Sequence, residues 1–138
     1  MKIRVIGLIA SIFLAFCLNA CSPAKKSAAE GAASDWLKLV DAGNYAQSWD
    51  KGAGIFKNAV AREQWQKILE GNRAPLGPVA SRKLTSAEYV RELPGAPDGE
   101  YYVIQYASTF ADNRSVVETV TPTLDSDGQW RVAVYVIK

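Results

Sequence analysis

Two prolines and a glycine, Pro75, Gly77 and Pro78, lie close together near the middle of the chain and divide it into two unlike halves. Proline interrupts a helix because it has no backbone N–H and its ring clashes with the preceding turn, so no helix continues through this cluster. Before it, apolar residues recur at helical spacing; after it, apolar and polar residues alternate as they do in strands. Helices followed by strands predict an α+β fold.

The first half of the chain predicts three helices. Apolar stripes at spacings of three and four residues indicate a first helix over residues 29–40 and a third over residues 61–70. A second helix is expected over residues 45–56. Gly52 and Gly54 lie in it and should weaken it, because each costs about 1 kcal/mol relative to alanine.

The second half predicts four strands joined by turn-forming residues. The first connection is rich in proline and glycine, and the other two have the length and composition of hairpin loops. The fold class that follows is α+β, with the three N-terminal helices packed on one face of a curved, four-stranded antiparallel sheet. The strands are expected over residues 82–93, 100–110, 116–124 and 129–137.

The first twenty-one residues have the layout of an export leader that ends in a cysteine. Lys2 and Arg4 precede a mostly apolar run over residues 5–16, and Cys21 follows. This layout is typical of a bacterial lipoprotein signal, in which residues 1–20 are removed and Cys21 is acylated. An uncleaved membrane anchor needs about twenty predominantly apolar residues, more than this run supplies. Ordinary secretion with a free Cys21 is the other alternative.

Acylation of Cys21 would hold the chain at a membrane of the cell envelope, because each buried methylene contributes about 0.8 kcal/mol. Ser22 follows it, in place of the aspartate that resembles an inner-membrane retention signal. We therefore expect the outer membrane, with the chain facing the periplasm. Residues 21–31 are expected to form a flexible tether, and residues 32–138 a single α+β domain.

The composition excludes several kinds of site. The sequence has no histidine, which is the commonest metal ligand and the usual general base at neutral pH. Cys17 leaves with the leader and Cys21 carries the lipid, so the mature chain has no free thiol. It then has fourteen basic and fourteen acidic residues, without the excess of positive charge that nucleic-acid binding requires. We expect no metal, no cofactor and no nucleic-acid partner.

Three stretches of the sequence resemble one bacterial family. They are WLKLVDAGNYAQSWDKGAGIFKNAV from Trp36, RAPLG from Arg73, and the run from Leu93 that begins LPGAPDGEYYVIQY and continues to the last residue. Through them the chain resembles the bacterial lipoproteins catalogued as domain of unknown function 4019 (DUF4019). The order of helices and sheet is similar to the cone-shaped, cystatin-like fold of nuclear transport factor 2-like domains. The resemblance implies this fold and export; it implies no activity, substrate or catalytic residue.

Glu118 is the candidate functional carboxylate, because it lies on a predicted strand in phase with the apolar Val120. A three-residue turn at residues 126–128 predicts that Glu118 points inward, where loss of solvent would make it a stronger base. A four-residue turn instead sets it against Arg131 and Tyr135 on the other face, as a structural partner. The sequence leaves both alternatives open.

Aromatic residues suggest where a ligand could bind. Tyr102, Tyr106 and Trp130, together with Glu118, form a candidate pocket between the sheet and the helices. Packing of the core is the simpler explanation of the same aromatic side chains, since a small domain needs large residues to fill its interior. We assign no catalytic residue.

The second face of the predicted sheet is less polar than a solvent-exposed face should be, which is typical of a homodimer or partner surface. We therefore expect a non-enzymatic module that binds an envelope protein or a small ligand. The alternative is a hydrolase- or isomerase-like enzyme that uses Glu118 as an inward carboxylate. The residues of this second face are Tyr101, Val103, Ala107, Ala133, Tyr135 and Ile137.

Overall fold

A computed structural model describes residues 22–138 and has helices followed by one sheet. The predicted α+β class is confirmed, whereas the leader and Cys21 lie outside the described residues. The helices are α1 (Pro23–Asp41), α2 (Tyr45–Asp50), α3 (Gly54–Ala59) and α4 (Arg62–Asn72), followed by a short 3₁₀ helix (Ala74–Leu76). The strands are β1 (Val79–Val90), β2 (Tyr101–Phe110), β3 (Ser115–Leu124) and β4 (Trp130–Ile137).

Helix α1 begins at Pro23, so residues 23–31 of the predicted tether (residues 21–31) are helical. Ser22 caps the helix, because its hydroxyl accepts a hydrogen bond from the backbone N–H of Lys25 at 3.2 Å. Proline suits the first turn, where its missing N–H would have no partner in any case. The ammonium group of Lys25 also lies 2.6 Å from Glu100, which ties the start of α1 to the sheet.

The second predicted helix, over residues 45–56, is divided into α2 and α3. Gly52 lies between the two helices, and a Cβ atom there would overlap the ring of Phe56. Ala53 donates its N–H to the carbonyl of Val132 at 2.8 Å, which attaches the start of α3 to β4. The described residues therefore contain four α-helices and not the three expected. None of these helices combines the length and the apolar character that spanning a membrane requires.

The strands pair in chain order, β1-β2-β3-β4, and every pair is antiparallel, as predicted. Strand β1 both begins and ends about three residues before its predicted limits. The turn between β3 and β4 has three residues, since Asp125 donates its N–H to the carbonyl of Gln129 at 2.9 Å. Gly128 in this turn has a φ of 80°, the left-handed conformation that glycine adopts without strain.

Helix α1 packs across the inner face of the sheet and contacts all four strands. Ala29 and Ala33 are fully buried, and their small side chains let the helix approach the strands closely. Trp36, Leu37 and Val40 continue the same buried stripe, so the apolar pattern predicted for this helix is confirmed. The core therefore lies between α1 and the inner face, and no helix of residues 22–138 packs across the outer face in the same way.

Candidate functional site

A β-bulge in β4 determines which side chains of β3 and β4 share a face. Pro122 pairs with Val132, but the next residue of β3, Thr121, pairs with Val134. Ala133 is therefore an extra residue with no counterpart on β3. Proline is tolerated at this irregularity because it has no N–H to contribute to the ladder.

Two facings were predicted for β4, one from a three-residue turn and one from a four-residue turn. Because of the bulge, the first is correct before Ala133 and the second is correct after it. The three-residue turn puts Trp130 on the inner face with Glu118, as the first alternative predicts. Beyond the bulge the faces exchange, so Tyr135 points inward and Val134 is exposed. Arg131 binds the acidic residues of the turn and is not the partner of Glu118.

Glu118 is fully buried, and both oxygens of its carboxylate are engaged. Oε1 accepts hydrogen bonds from Nε of Arg82 at 2.8 Å and from the hydroxyl of Ser108 at 2.5 Å. Oε2 accepts from Nη2 of Arg82 at 3.2 Å and from the hydroxyl of Tyr135 at 2.5 Å. An ionised carboxylate offers about four acceptor positions, so these bonds leave none for a reacting proton. Glu118 points inward, but as a structural partner.

Arg82 extends the contacts of Glu118 to the end of α1. Its guanidinium donates to both oxygens of Asp41, at 2.7 and 3.0 Å. Asp41 also accepts a hydrogen bond from Nη2 of Arg73 at 3.1 Å. The Arg73 side chain is 3% exposed, donates to the carbonyl of Gly77 at 2.7 Å, and lies over the ring of Phe110 at 4.5 Å.

These contacts form a buried polar network that joins α1 and the segment after α4 to all four strands. The two buried charges, Glu118 and Arg73, each have a partner of opposite charge, because an unpaired buried charge is strongly destabilising. Arg82 is partly buried, and Asp41 reaches the surface. Within residues 22–138 no three acidic side chains converge as metal ligands would. The members of the buried polar network are Asp41, Arg73, Arg82, Ser108, Glu118 and Tyr135.

Burial and pairing shift three pKa values in this network. Burial, followed by the negative charge of Glu118, raises the pKa of Tyr135 well above its usual range. Burial alone would raise the pKa of Asp41, but the hydrogen bonds and charges of Arg82 and Arg73 outweigh it and lower that pKa. Burial alone would lower the pKa of Arg82, but its two carboxylate partners raise it. All three groups therefore keep one protonation state around neutral pH.

The sequence-based site lacks Asp41, Arg73 and Arg82. Arg82 lies on a predicted strand in phase with Leu84, which is the one local sign that it faces the helices. The alternation of side chains along a strand predicts which face of the sheet Arg82 lies on. It does not identify a partner 36 residues away, such as Glu118.

The four predicted pocket residues form two separate contacts and do not surround one cavity. Tyr102 is 1% exposed and packs edge-on against Trp130, with 5.4 Å between ring centroids. Tyr106 is also buried, lies opposite Glu118 on the neighbouring strand, and has its pKa raised by that burial. Trp130 borders a groove of about 300 Å³ between α1 and β4. Tyr102 and Tyr106 are therefore core residues.

A groove of about 630 Å³ lies on the outer face of the sheet, and we call it the outer groove. One wall is α3, with Ile55 and Ala59, and the other is the segment over residues 93–97 that follows β1. Its floor includes Val103 and Val134 from the strands. Of the described residues, none that lines the outer groove is charged, so its surface suits an uncharged, apolar occupant.

A second groove, of about 440 Å³, lies between α4 and the end of β4. We call it the edge groove, because β4 is an edge strand. Trp65 and Leu69 line it from α4, and Tyr135 and Ile137 line it from β4. It also lacks charged side chains, and Asn72 supplies an amide to its wall.

The outer face of the sheet differs from the set of residues predicted for it. Tyr101 is 2% exposed, because its hydroxyl donates to the carbonyl of Pro97 and the segment before β2 covers its ring. Tyr135 and Ile137 lie on the inner face, because the bulge exchanges the two faces of β4. Ala133, at the bulge, lines the outer groove as the prediction for this face implies. The other apolar residues of the outer face are Val103, Ala107, Val117, Val134 and Val136.

Comparison with known proteins identifies a family. Residues 32–135 match the family model described as Protein of unknown function (DUF4019). The matched range includes every member of the buried polar network and nearly all of the sheet. No curated protein matches the chain. The resemblance inferred from the sequence is thereby confirmed.

Proposed function

We propose that this chain, which belongs to the DUF4019 family, is a lipid-anchored binding module of the bacterial cell envelope and not an enzyme. Cys21 would carry the lipid, and the outer groove would hold an uncharged, apolar segment of another envelope protein. The helices and sheet would form a cone of the nuclear transport factor 2-like kind. The outer membrane, facing the periplasm, is the proposed location.

The outer groove is the observation on which the binding function rests. Its volume of about 630 Å³ falls in the range of ligand-binding clefts, about 300–1,000 Å³. None of the described residues that line the groove is charged. A charged group placed there would lose its water without gaining an ion pair, so the groove favours an uncharged partner. Glu118, the residue expected of an enzyme, already has four hydrogen-bond donors.

The anchor is tested by cell fractionation of the full chain, leader included. We expect the wild-type chain in the membrane fraction, with the added mass of acyl chains, and the Cys21→Ser variant without that mass and outside the membrane fraction. Cys17→Ser is the matched control, because it changes the other cysteine of the leader and should leave acylation intact. Retention of unmodified Cys21→Ser in membranes would contradict the proposal.

The groove is tested by photo-crosslinking in living bacteria. A benzophenone amino acid replaces Val134, which lines the outer groove, or Val117, which is equally exposed on the neighbouring strand outside it. We expect the Val134 position to crosslink to one defined, apolar segment of an envelope protein, identified by mass spectrometry, and the Val117 position to give little or none.

Two results would change this assignment. A product of twice the chain's own mass would identify a second copy as the partner, which is the homodimer that the sequence analysis leaves as one alternative. Equal products from both positions, or none from Val134, would remove the outer groove as the binding surface.

A further inference from the structure

The end of β4 has backbone groups that face away from the sheet. Lys138 and Val117 exchange two backbone hydrogen bonds, at 2.7 and 3.0 Å. Because bonded and non-bonded pairs alternate in an antiparallel ladder, Val136 also directs its N–H and C=O toward β3. The N–H and C=O groups of Tyr135 and Ile137 therefore point outward, and no strand within residues 22–138 pairs with them.

The beginning of the same edge is already covered. The carbonyl of Val132 accepts the N–H of Ala53 at 2.8 Å, and α3 follows directly. The open part of the edge is therefore residues 134–138, which extend over about 17 Å at the rise of a β-strand. This length suits a short strand segment.

The edge groove indicates which side chains such a segment would carry. Successive side chains of a strand point to opposite faces, so every second side chain of a strand added to β4 would point toward the helices and into this groove. Trp65, Leu69 and Leu76 line the groove, and none of its lining residues is charged. Uncharged, apolar side chains at alternate positions therefore complement it.

The β4 strand of a second copy of this chain does not supply those side chains. The inward residues at the end of its own β4 are Tyr135 and Ile137. Tyr135 is bound to Glu118 and packs against Trp36, with 5.2 Å between ring centroids, inside its own domain. Pairing of two β4 edges would thus leave the edge groove unfilled.

We infer that β4 accepts an extended segment of another protein as a fifth strand, with apolar side chains at alternate positions in the edge groove. The outward groups of Tyr135 and Ile137 supply the backbone hydrogen bonds, and the groove supplies selectivity. This site shares no lining residue with the outer groove and makes no use of a lipid anchor, so it does not depend on the function proposed above.

Amide hydrogen exchange tests the open edge in the full chain, purified in detergent from whichever cell fraction contains it. We expect the amides of Tyr135 and Ile137 to exchange at least about tenfold faster than those of Val134 and Val136, because only the latter are bonded to β3. Equal protection at all four positions would overturn the inference.

Selection from a display library of random octapeptides tests the occupant, with the same full chain as bait. We expect the enriched peptides to alternate apolar and polar residues and to protect the amide of Tyr135 when bound. Ile137→Pro should raise their Kd at least about tenfold, because proline removes an outward N–H without removing a bond to β3. Ala107→Asp, exposed on the outer face of β2 and separated from the edge strand by β3, should leave the Kd unchanged.

Each other result counts against strand addition. The inference fails if no peptide is enriched, or if enriched peptides bind Ile137→Pro and the wild-type chain equally well. Circular dichroism checks that Ile137→Pro is folded. If this variant is not folded, the test is made in the wild-type chain: strand addition requires that the bound peptide protect the amide of Tyr135 from exchange, and no protection would overturn it.

Discussion

Arg82 holds both oxygens of Glu118, at 2.8 and 3.2 Å, from a strand that is not adjacent to its own. Strand β2 lies between them, and its Ser108 pairs with Arg82 in register while donating to the same carboxylate. The side chains therefore connect three strands independently of the backbone ladder. The energetic consequence is that removal of one partner leaves a charge buried without compensation.

Arg82→Met should lower the free energy of unfolding by about 3–5 kcal/mol, because Glu118 and Asp41 would lose their shared cation. Arg131→Met is the matched control: its ion pairs with Asp125 and Asp127 lie at the surface, so we expect a loss of less than about 1 kcal/mol. Urea unfolding of both variants measures the difference. A similar loss in the two variants would show that the buried polar network does not stabilise the fold in this way.

Tyr135→Phe should make stability less sensitive to alkaline pH. Burial raises the pKa of Tyr135 in the folded chain, so above about pH 10 the unfolded chain releases this proton and the folded chain retains it. The free energy of unfolding therefore falls as pH rises above 10. Without the hydroxyl, the slope should be shallower by about 1.4 kcal/mol per pH unit. Urea titrations between pH 8 and 11.5 measure it; identical slopes would contradict the shift.

Asp41→Asn should reduce stability at neutral pH, with a loss that disappears in acid. The pKa of Asp41 is lowered in the folded chain, so its contribution is present above about pH 3.8 and is lost as the pH falls below that value. We expect the free energy of unfolding of Asp41→Asn to be about 1–3 kcal/mol lower than that of the wild-type chain at pH 7, and this difference to disappear toward pH 2. Asp35→Asn, on the exposed side of the same helix, should change stability by less than about 0.5 kcal/mol. A deficit independent of pH would exclude this linkage.

Alanine substitutions at Gly52 and at Gly54 should have opposite effects on stability. At Gly52 an added Cβ would overlap the Phe56 ring, so Gly52→Ala should cost about 1–3 kcal/mol. At Gly54 the space is open and α3 begins, so Gly54→Ala should stabilise by up to about 0.5 kcal/mol. Thermal unfolding of the two variants compares them directly. Equal effects would indicate that the Phe56 ring moves aside without cost.

The sequence predicts the elements that depend on local periodicity. The stripe of α1 and the antiparallel sheet follow from spacings of about 3.6 and 2 residues, and the structure has both. Composition was a poorer guide at the start of α1: it suggested a tether, but the alanines favour a helix and Ser22 caps it. Helix propensity was insufficient at Gly52, whose requirement comes from the ring of Phe56 in the next turn rather than from the backbone of a helix.

The candidate site could be predicted only in part. Alternation identifies Glu118 as inward, but its partners come from β1, β2 and β4 and carry no local signal. The bulge at Ala133 is the decisive feature, because one extra residue exchanges the faces of everything after it. A pattern with a period of two residues does not reveal where that period is interrupted.

Helix α1 begins directly after Ser22, and Lys25 ties its first turn to Glu100. If Cys21 bears acyl chains, the folded domain starts within two residues of the lipid. The attachment is then a short linker and not a long, flexible one. The domain then cannot extend its reach by uncoiling. A partner of the domain must therefore come within one domain's thickness of the lipid headgroups. It then approaches the binding surfaces of the domain in a narrow range of orientations.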